Sequence, residues 1–271
     1  KLLIDYINFI LIKILRLKKI LDASYAKTGK FILAKDDDIF VASYPRSGST
    51  WSRLIIANIF FNEVTFNNIN DFLPEYYSSN ESKFLNKKFR IIKAHDYFDH
   101  RFKKVVYIVR DPREVLVSSY YFQINMGSIP ANYSKRKFFN EFMKGKFDSN
   151  FGSWEENVGS WYGAKSNNII FTRYEDLIDN PAREIKKICN FLNKRISNTK
   201  IKKIINNTSF EKLNRLEKKT PLNWKDVKYN SKGFSFFRAG KKNSWKKFLT
   251  KRENEKIKLV WKRYMKIFKY I

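Results

Sequence analysis

Short polar stretches in this chain carry the residue types that could do chemistry. Ser43 to Trp51 reads SYPRSGSTW. Phosphate loops that hydrolyse nucleotides read G-x-x-x-x-G-K-[ST], with the lysine on the β- and γ-phosphates. Aligned on Gly48 and Thr50, this stretch has Ser43 at the first glycine and Ser49 at the lysine. The positive charge has moved into the loop as Arg46. Backbone N–H groups from Ser47 to Trp51 at a helix start would point at an anion, and Ser47, Ser49 and Thr50 add hydroxyl donors. Without the lysine, the loop suits a terminal 5′-phosphate better than a triphosphate. Arg46 would sit where charge develops on a leaving oxygen.

A second stretch, VRDPREVLVSSYYF from Val109 to Phe122, places Arg110 at a strand end and Ser118 two turns into a helix opened by Asp111-Pro112. An arginine with a hydroxyl makes a phosphate clamp. Standing alone, the same residues read as a surface ion pair and a helix serine. Lys93-Ala94-His95 supplies the neutral-pH base of that edge, His95, directly after a strand. His100 lacks this placement and reads as a loop residue.

The elements that must position these groups follow from periodicity. Apolar runs at Ile39–Ala42, Phe89–Ile92, Val105–Val109 and Asn168–Thr172 alternate with helical patterns, the signature of βαβ units and a parallel sheet. A helix is expected from about Thr50 to Phe61, and another from Pro181 with Asn180 as its N-cap. Polar residues gather at the C-terminal end of each strand, the edge where open α/β sheets bind ligands. No repeat or low-complexity linker divides the chain, so a single domain over 31–271 is expected.

Composition bounds the function classes. With 43% hydrophobic and 17% aromatic residues the chain can bury a core. One cysteine, Cys189, excludes a disulfide framework and a cysteine-based zinc site, and reads as a small buried hydrophobe. It also fits a reducing compartment. The net charge of +29 favours anionic ligands or an acidic membrane surface, yet lysine is abundant throughout and shows no pattern of a nucleic-acid groove. Nucleic acid is therefore not an expected partner. Residues 1–30 read as a basic amphipathic helix, with Leu3, Tyr6, Ile7, Ile10, Ile14, Leu17 and Leu21 at near-helical spacing. Its apolar run is too short to span a bilayer. It could lie on a membrane as a peripheral contact or pack on its own domain.

Taken in order, the motifs resemble those of the cytosolic-type sulfotransferases, which use 3′-phosphoadenosine 5′-phosphosulfate (PAPS). The family's Y-P-K-S-G-T-T-W is matched by Tyr44–Trp51, its K-T-H by Lys93–His95, and its V-x-R-[ND]-P segment from Val109 to Phe122. F-x-x-Y-E-D-L-x-x-N-P is matched at Phe171–Pro181, G-S-W-x-x-x-V-x-x-W at Gly152–Trp161, T-S-F at Thr208–Phe210 and R-K-G-x-x-G-x-W-K at Arg238–Lys246. The resemblance implies a P-loop-like α/β fold with a central parallel sheet flanked by helices, and sulfuryl transfer from PAPS to an acceptor hydroxyl without a metal. It implies that Ser47, Gly48, Ser49, Thr50, Trp51 and Ser52 bind the 5′-phosphosulfate. Arg110, Ser118, Arg238 and Gly240 would hold the 3′-phosphate, while Trp51, Tyr174, Thr208 and Phe210 surround the adenine. His95 would take the acceptor proton, with Arg46 and Lys93 stabilising the sulfuryl group in flight. A cytoplasmic enzyme, membrane-associated or not, acting on a small molecule, glycan or lipid is the corresponding expectation.

Departures from the family pattern are specific. Arg46 stands for lysine, and a planar fork is not an ammonium. Ala239 and Asn243 replace lysine and glycine. Lys246-x-x-x-Thr250-Lys251-x-x-x-Glu255 carries a charge where the family's dimer motif has valine, so a monomer or weak dimer is expected. The aromatic stretch Tyr120–Tyr162 would form much of the acceptor pocket, although core packing accounts for such residues equally well. The alternative reading is a P-loop-like kinase of small molecules or nucleotides, against which the absent lysine counts. A non-catalytic binding protein is the other rival.

Overall fold

The computed structural model describes residues 34–65, 67–76, 90–148, 150–219 and 242–271. The expectations for residues 1–30, Phe89, Arg238, Ala239 and Gly240 fall outside the described residues.

Strands β1 (Ile39–Ser43), β2 (Ile91–Ala94), β3 (Val105–Val109) and β4 (Ile169–Arg173) form one parallel sheet in the order β2-β1-β3-β4. Their near-continuous apolar runs suit a sheet covered on both faces. Alternation then divides them between two cores. Phe40, Ala42, Ile92, Val105, Tyr107 and Val109 enter an aromatic-rich core, whereas Ile39, Val41, Ile91, Val106 and Ile108 enter an aliphatic one.

Helices complete the two outer layers. The aliphatic face is covered by α1 (Ser49–Phe60) and by α6 to α9, which span Tyr174–Asp179, Pro181–Phe191, Asn198–Asn207 and Phe210–Lys219. A short helix α2 (Ile69–Phe72) also adds Ile69 to that face. The aromatic face is covered by α3 (Pro112–Asn125), α4 (Lys135–Phe142), α5 (Trp154–Gly163), α10 (Lys251–Val260) and α11 (Lys262–Ile267). Cys189 is buried in α7, as its composition-level reading has it.

Helix starts follow local chemistry. Asp111 caps α3 by accepting from Arg113 N at 2.9 Å, with Pro112 at the first helical position. Ser153 and Thr250 head reciprocal capping boxes with Glu156 and Glu253. Asn180 does precede Pro181 at the start of α7, but its side chain makes no capping bond. Its backbone (φ −138°, ψ 60°) lies off the extended conformation usual for a side-chain cap.

Strand order reverses around β1, which leads to β2 on one side and neighbours β3 on the other. Ligands of open α/β sheets bind at such a switch point. The loops after β1 and β3 carry Arg46 and Arg110 to that crevice. At the opposite end of the sheet a buried fork ties β1 to β2. Arg90 Nε donates to Asp38 Oδ1 at 2.8 Å and Nη2 to Oδ2 at 2.6 Å. Both residues are buried, so removing one partner strands a charge. Asp38→Ala is expected to cost about 3–5 kcal/mol in urea unfolding. A loss below about 1 kcal/mol would show that the fork is not fixing β1.

Candidate active site

The β1–α1 loop reverses direction through left-handed backbone. Arg46 has φ 65° and Gly48 φ 91°. Gly48 is required twice over, because a Cβ there would lie 2.4 Å from the Tyr174 ring. That ring, at the start of α6, packs against Gly48 on one contact and carries the Arg110 guanidinium 4.4 Å from its centroid on another. Trp51 meets the same ring edge-on at 5.3 Å and donates Nε1–H to Thr208 O at 2.8 Å. Thr208 spends its hydroxyl on Ile204 O at 2.8 Å, closing α8. Phe210 opens α9 and packs against the aliphatic core. Gly48, Trp51, Arg110, Tyr174 and Thr208 are thus brought together from four separate segments.

Several donors around this loop lack a hydrogen-bond partner among the described residues. Ser47 Oγ, Ser52 Oγ and Arg110 Nε are buried without a hydrogen bond among the described residues. An unsatisfied buried donor costs about 1–3 kcal/mol. An oxyanion seated on the loop is the kind of group that would satisfy them, and the N-terminus of α1 favours negative charge at the same place. Ser49 and Thr50 are buried in the first turn of α1. Arg46 lies against α3, donating Nε–H to Ser118 Oγ at 3.3 Å, with its guanidinium 4.2 Å from the Phe122 centroid. Arg110 Nη1 donates to Arg46 O at 3.1 Å.

At the end of β2, His95 Nδ1 lies 2.7 Å from Ser43 O. A carbonyl oxygen only accepts, so Nδ1 carries the proton and Nε2 keeps its lone pair. Burial, reinforced by the Lys93 charge and opposed by the bond to Ser43, pulls the imidazole down to about 3. Asn157 Nδ2 steadies the strand end by donating to His95 O at 2.9 Å, and the Phe151 ring lies 5.7 Å from the imidazole.

Lys93 reaches the same edge with a partner that its motif does not reveal. Its ammonium bonds Glu75 Oε1 at 2.7 Å, and Arg53 Nη1 lies 3.9 Å from that oxygen. Glu75 is half exposed; the desolvation it does suffer would raise its carboxyl, but Lys93 and Arg53 overcome it and hold it at about 2. A backbone bridge fixes the pairing, with Tyr76 N on Lys93 O at 2.8 Å and Lys93 N on Pro74 O at 2.9 Å.

Arg110 is braced from behind. Its Nη2 lies 3.7 Å from Glu114 Oε2, which also accepts from Ser244 Oγ at 2.6 Å, while Glu114 Oε1 accepts from Trp245 N at 3.3 Å. Asn243, at φ 65°, adopts the left-handed conformation that asparagine tolerates better than most residues. The backbone here is thus one that both asparagine and the glycine of the family motif accept. Arg113 stacks on Trp245 at 4.1 Å and donates Nη2–H to Tyr270 O at 2.9 Å. Tyr270 in turn donates its hydroxyl to Glu175 Oε2 at 3.0 Å, and Glu175 Oε1 accepts from Asp111 N at 3.0 Å.

The profile of the sulfotransferase domain family matches residues 36–269. The chain belongs to the sulfotransferase family. It is 32% identical to dog sulfotransferase 1B1 over 254 residues, 86% of this chain and 84% of that one. It is 31% identical to human sulfotransferase 1E1, over 86% and 85% of the two chains. Two solved structures share the fold. A mouse sulfotransferase complexed with PAP covers 92% of this chain and 88% of its own, at TM-score 0.68 and 23% identity. Retinol dehydratase in complex with androsterone and PAP covers 92% and 86%, at TM-score 0.71 and 22% identity.

In this sulfotransferase the aromatic stretch divides between core and crevice. Tyr120, Phe138, Phe139, Phe142 and Trp154 are buried in the aromatic core, because α3, α4 and α5 need large apolar side chains to cover the sheet. Phe122 and Phe151 are half-buried, against Arg46 and His95. Most of the expected acceptor-lining aromatics are therefore core. His100 is exposed, in keeping with a loop role.

Gly48→Ala is expected to lower thermal stability by about 1–3 kcal/mol from backbone strain alone, with a further loss from the ring contact. Adding Tyr174→Ala should recover that further loss; no recovery would mean the ring does not set the constraint. His95 gives a pH signature. Its folded value lies below its ordinary 6.5, so the unfolded chain binds more protons between those values. Stability should fall as pH drops below 6.5, by up to about 1.4 kcal/mol per unit. Melting curves of His95→Gln at pH 8 and pH 5 should show a smaller loss than wild type.

Proposed function

We propose that this sulfotransferase moves a sulfuryl group from PAPS to an acceptor hydroxyl by in-line displacement, with His95 as the general base. The observation that carries the reading is the bond from His95 Nδ1–H to Ser43 O. It leaves the Nε2 lone pair on a strand end adjacent to the phosphate loop, in a form neutral at physiological pH. When bound, PAPS supplies a sulfuryl group whose bond to the 5′-phosphate oxygen breaks as the acceptor oxygen bonds to sulfur.

The residues fit that donor. Ser47, Gly48, Ser49, Thr50 and Ser52 would hold the 5′-phosphosulfate at the α1 N-terminus, answering the unpartnered hydroxyls there. Arg110 and Ser118 would meet the 3′-phosphate, together with Arg238 and Gly240. Trp51 and Tyr174, edge to face beside Thr208 and Phe210, offer the flat apolar wall an adenine needs. Arg46 and Lys93 would stabilise charge spreading over the sulfuryl oxygens. Lys93 reaches that task already paired with Glu75, which limits its net charge. His95 would accept the acceptor's proton as its oxygen attacks. Both fold neighbours hold PAP, which supports PAPS as the donor.

The acceptor we infer is a partly apolar hydroxyl compound, small or lipid-linked, seated near Phe151, whose ring lies against His95. A cytoplasmic location accords with one free, buried cysteine. Kinase chemistry is disfavoured by Ser49 at the Walker lysine position.

Calorimetry should show tight binding of PAP and none of ATP with Mg²⁺; the reverse would sink the reading. With labelled PAPS and an acceptor screen, His95→Ala should lose about 10²–10⁴-fold in kcat. Because the wild-type imidazole is already neutral, kcat/KM should show no acid limb near pH 6.5. A limb there would mean a histidine of ordinary basicity is the base.

A further inference from the structure

The substitution of arginine for the family's lysine at position 46 has a structural counterpart on α3. Ser118 and Phe122 lie four residues apart, so they share one face of that helix. Together they engage different parts of the Arg46 side chain. Ser118 Oγ accepts from Nε at 3.3 Å, and the Phe122 ring lies under the guanidinium carbon at 4.2 Å. The backbone of the same residue is held by Arg110, whose Nη1 donates to Arg46 O at 3.1 Å. These contacts fix a residue whose φ of 65° is costly for any side chain other than glycine.

An ammonium could approach the Phe122 ring, but it has no plane to orient. A guanidinium does, and stacking on an aromatic face selects one orientation of its fork. We propose that Phe122 is a positioning residue for Arg46, holding the guanidinium plane so that its fork addresses the 5′-phosphosulfate, and that this stack is what makes arginine effective at position 46. The inference rests on PAPS being the donor. It assigns Phe122 to the donor side of the crevice, where an aromatic would otherwise be read as acceptor lining.

The test is a double-mutant cycle on the full chain, read by calorimetry with PAPS itself, so that no acceptor need be known. Phe122→Leu and Arg46→Lys should each weaken PAPS binding about tenfold, a size expected of a partly desolvated cation–π contact. The double variant should be no weaker than Arg46→Lys alone, because the lysine has already lost the stack. Phe122→Tyr, which keeps a ring face, should bind within about twofold of wild type.

Losses that multiply in the double variant would overturn the proposal, as would unchanged PAPS affinity in Phe122→Leu. In that second case Phe122 serves only the acceptor or the core. If Phe122→Leu does not fold by its melting curve, Phe122→Met runs the same cycle with a flexible side chain of similar reach. Wild-type protein that fails to bind PAPS would overturn the donor reading and this proposal together. Wild-type binding with additive losses would overturn this proposal alone.

Discussion

The contact between the Tyr174 ring and the bare Cα of Gly48 is the constraint on which the crevice depends. Tyr174 follows β4, whereas Gly48 follows β1, and β3 lies between them in the sheet. The ring therefore spans the switch point. It can do so only because residue 48 has no side chain and a left-handed backbone. Once seated, the same ring supports Arg110 on its face and meets Trp51 on its edge. One aromatic side chain thus sets the spacing of the loop, the arginine and the surface beside Thr208.

The second organising feature is how a strongly basic chain keeps its crevice cations in place. Unpaired cations would repel one another across so small a space. The described residues solve this locally: Glu75 between Lys93 and Arg53, Glu114 beside Arg110, and Asp111 in a fork with Arg113. Glu114 also accepts from Ser244 and Trp245 of a distant segment, Glu75 sits in a backbone bridge, and Asp111 caps α3 through Arg113 N. The acidic residues thereby locate the basic ones. An arriving anion meets cations already oriented, and it competes with carboxylates for them.

Much of the fold was legible because buried parallel strands read as unbroken apolar runs, as at Val105–Val109. The phosphate loop was legible because Pro45 and Gly48 punctuate it between a strand and a helix. The base was legible from its place after β2, but its tautomer needed the distance to Ser43 O. Glu75 could not be found from sequence, since Pro74-Glu75 carries no motif and its partner arrives through an isolated bridge to Lys93. Glu114 sat inside a recognised stretch, yet its ligands come from Ser244 and Trp245, far along the chain. The aromatic stretch left pocket and core equally open because side-chain type is silent on direction: Phe138 and Phe142 cover the sheet, while Phe122 turns to Arg46. Asn243 looked like a loss of glycine and is instead a residue suited to the same backbone region.

Tyr270 has a consequence for how the molecule is made. By bonding Arg113 and Glu175 it braces the turn that carries Arg110. During synthesis the phosphate loop and the sheet emerge before this brace, which lies 157 residues beyond Arg113. Domains made on the ribosome generally fold as units. Here the turn that carries Arg110 is made long before the tyrosine that braces it.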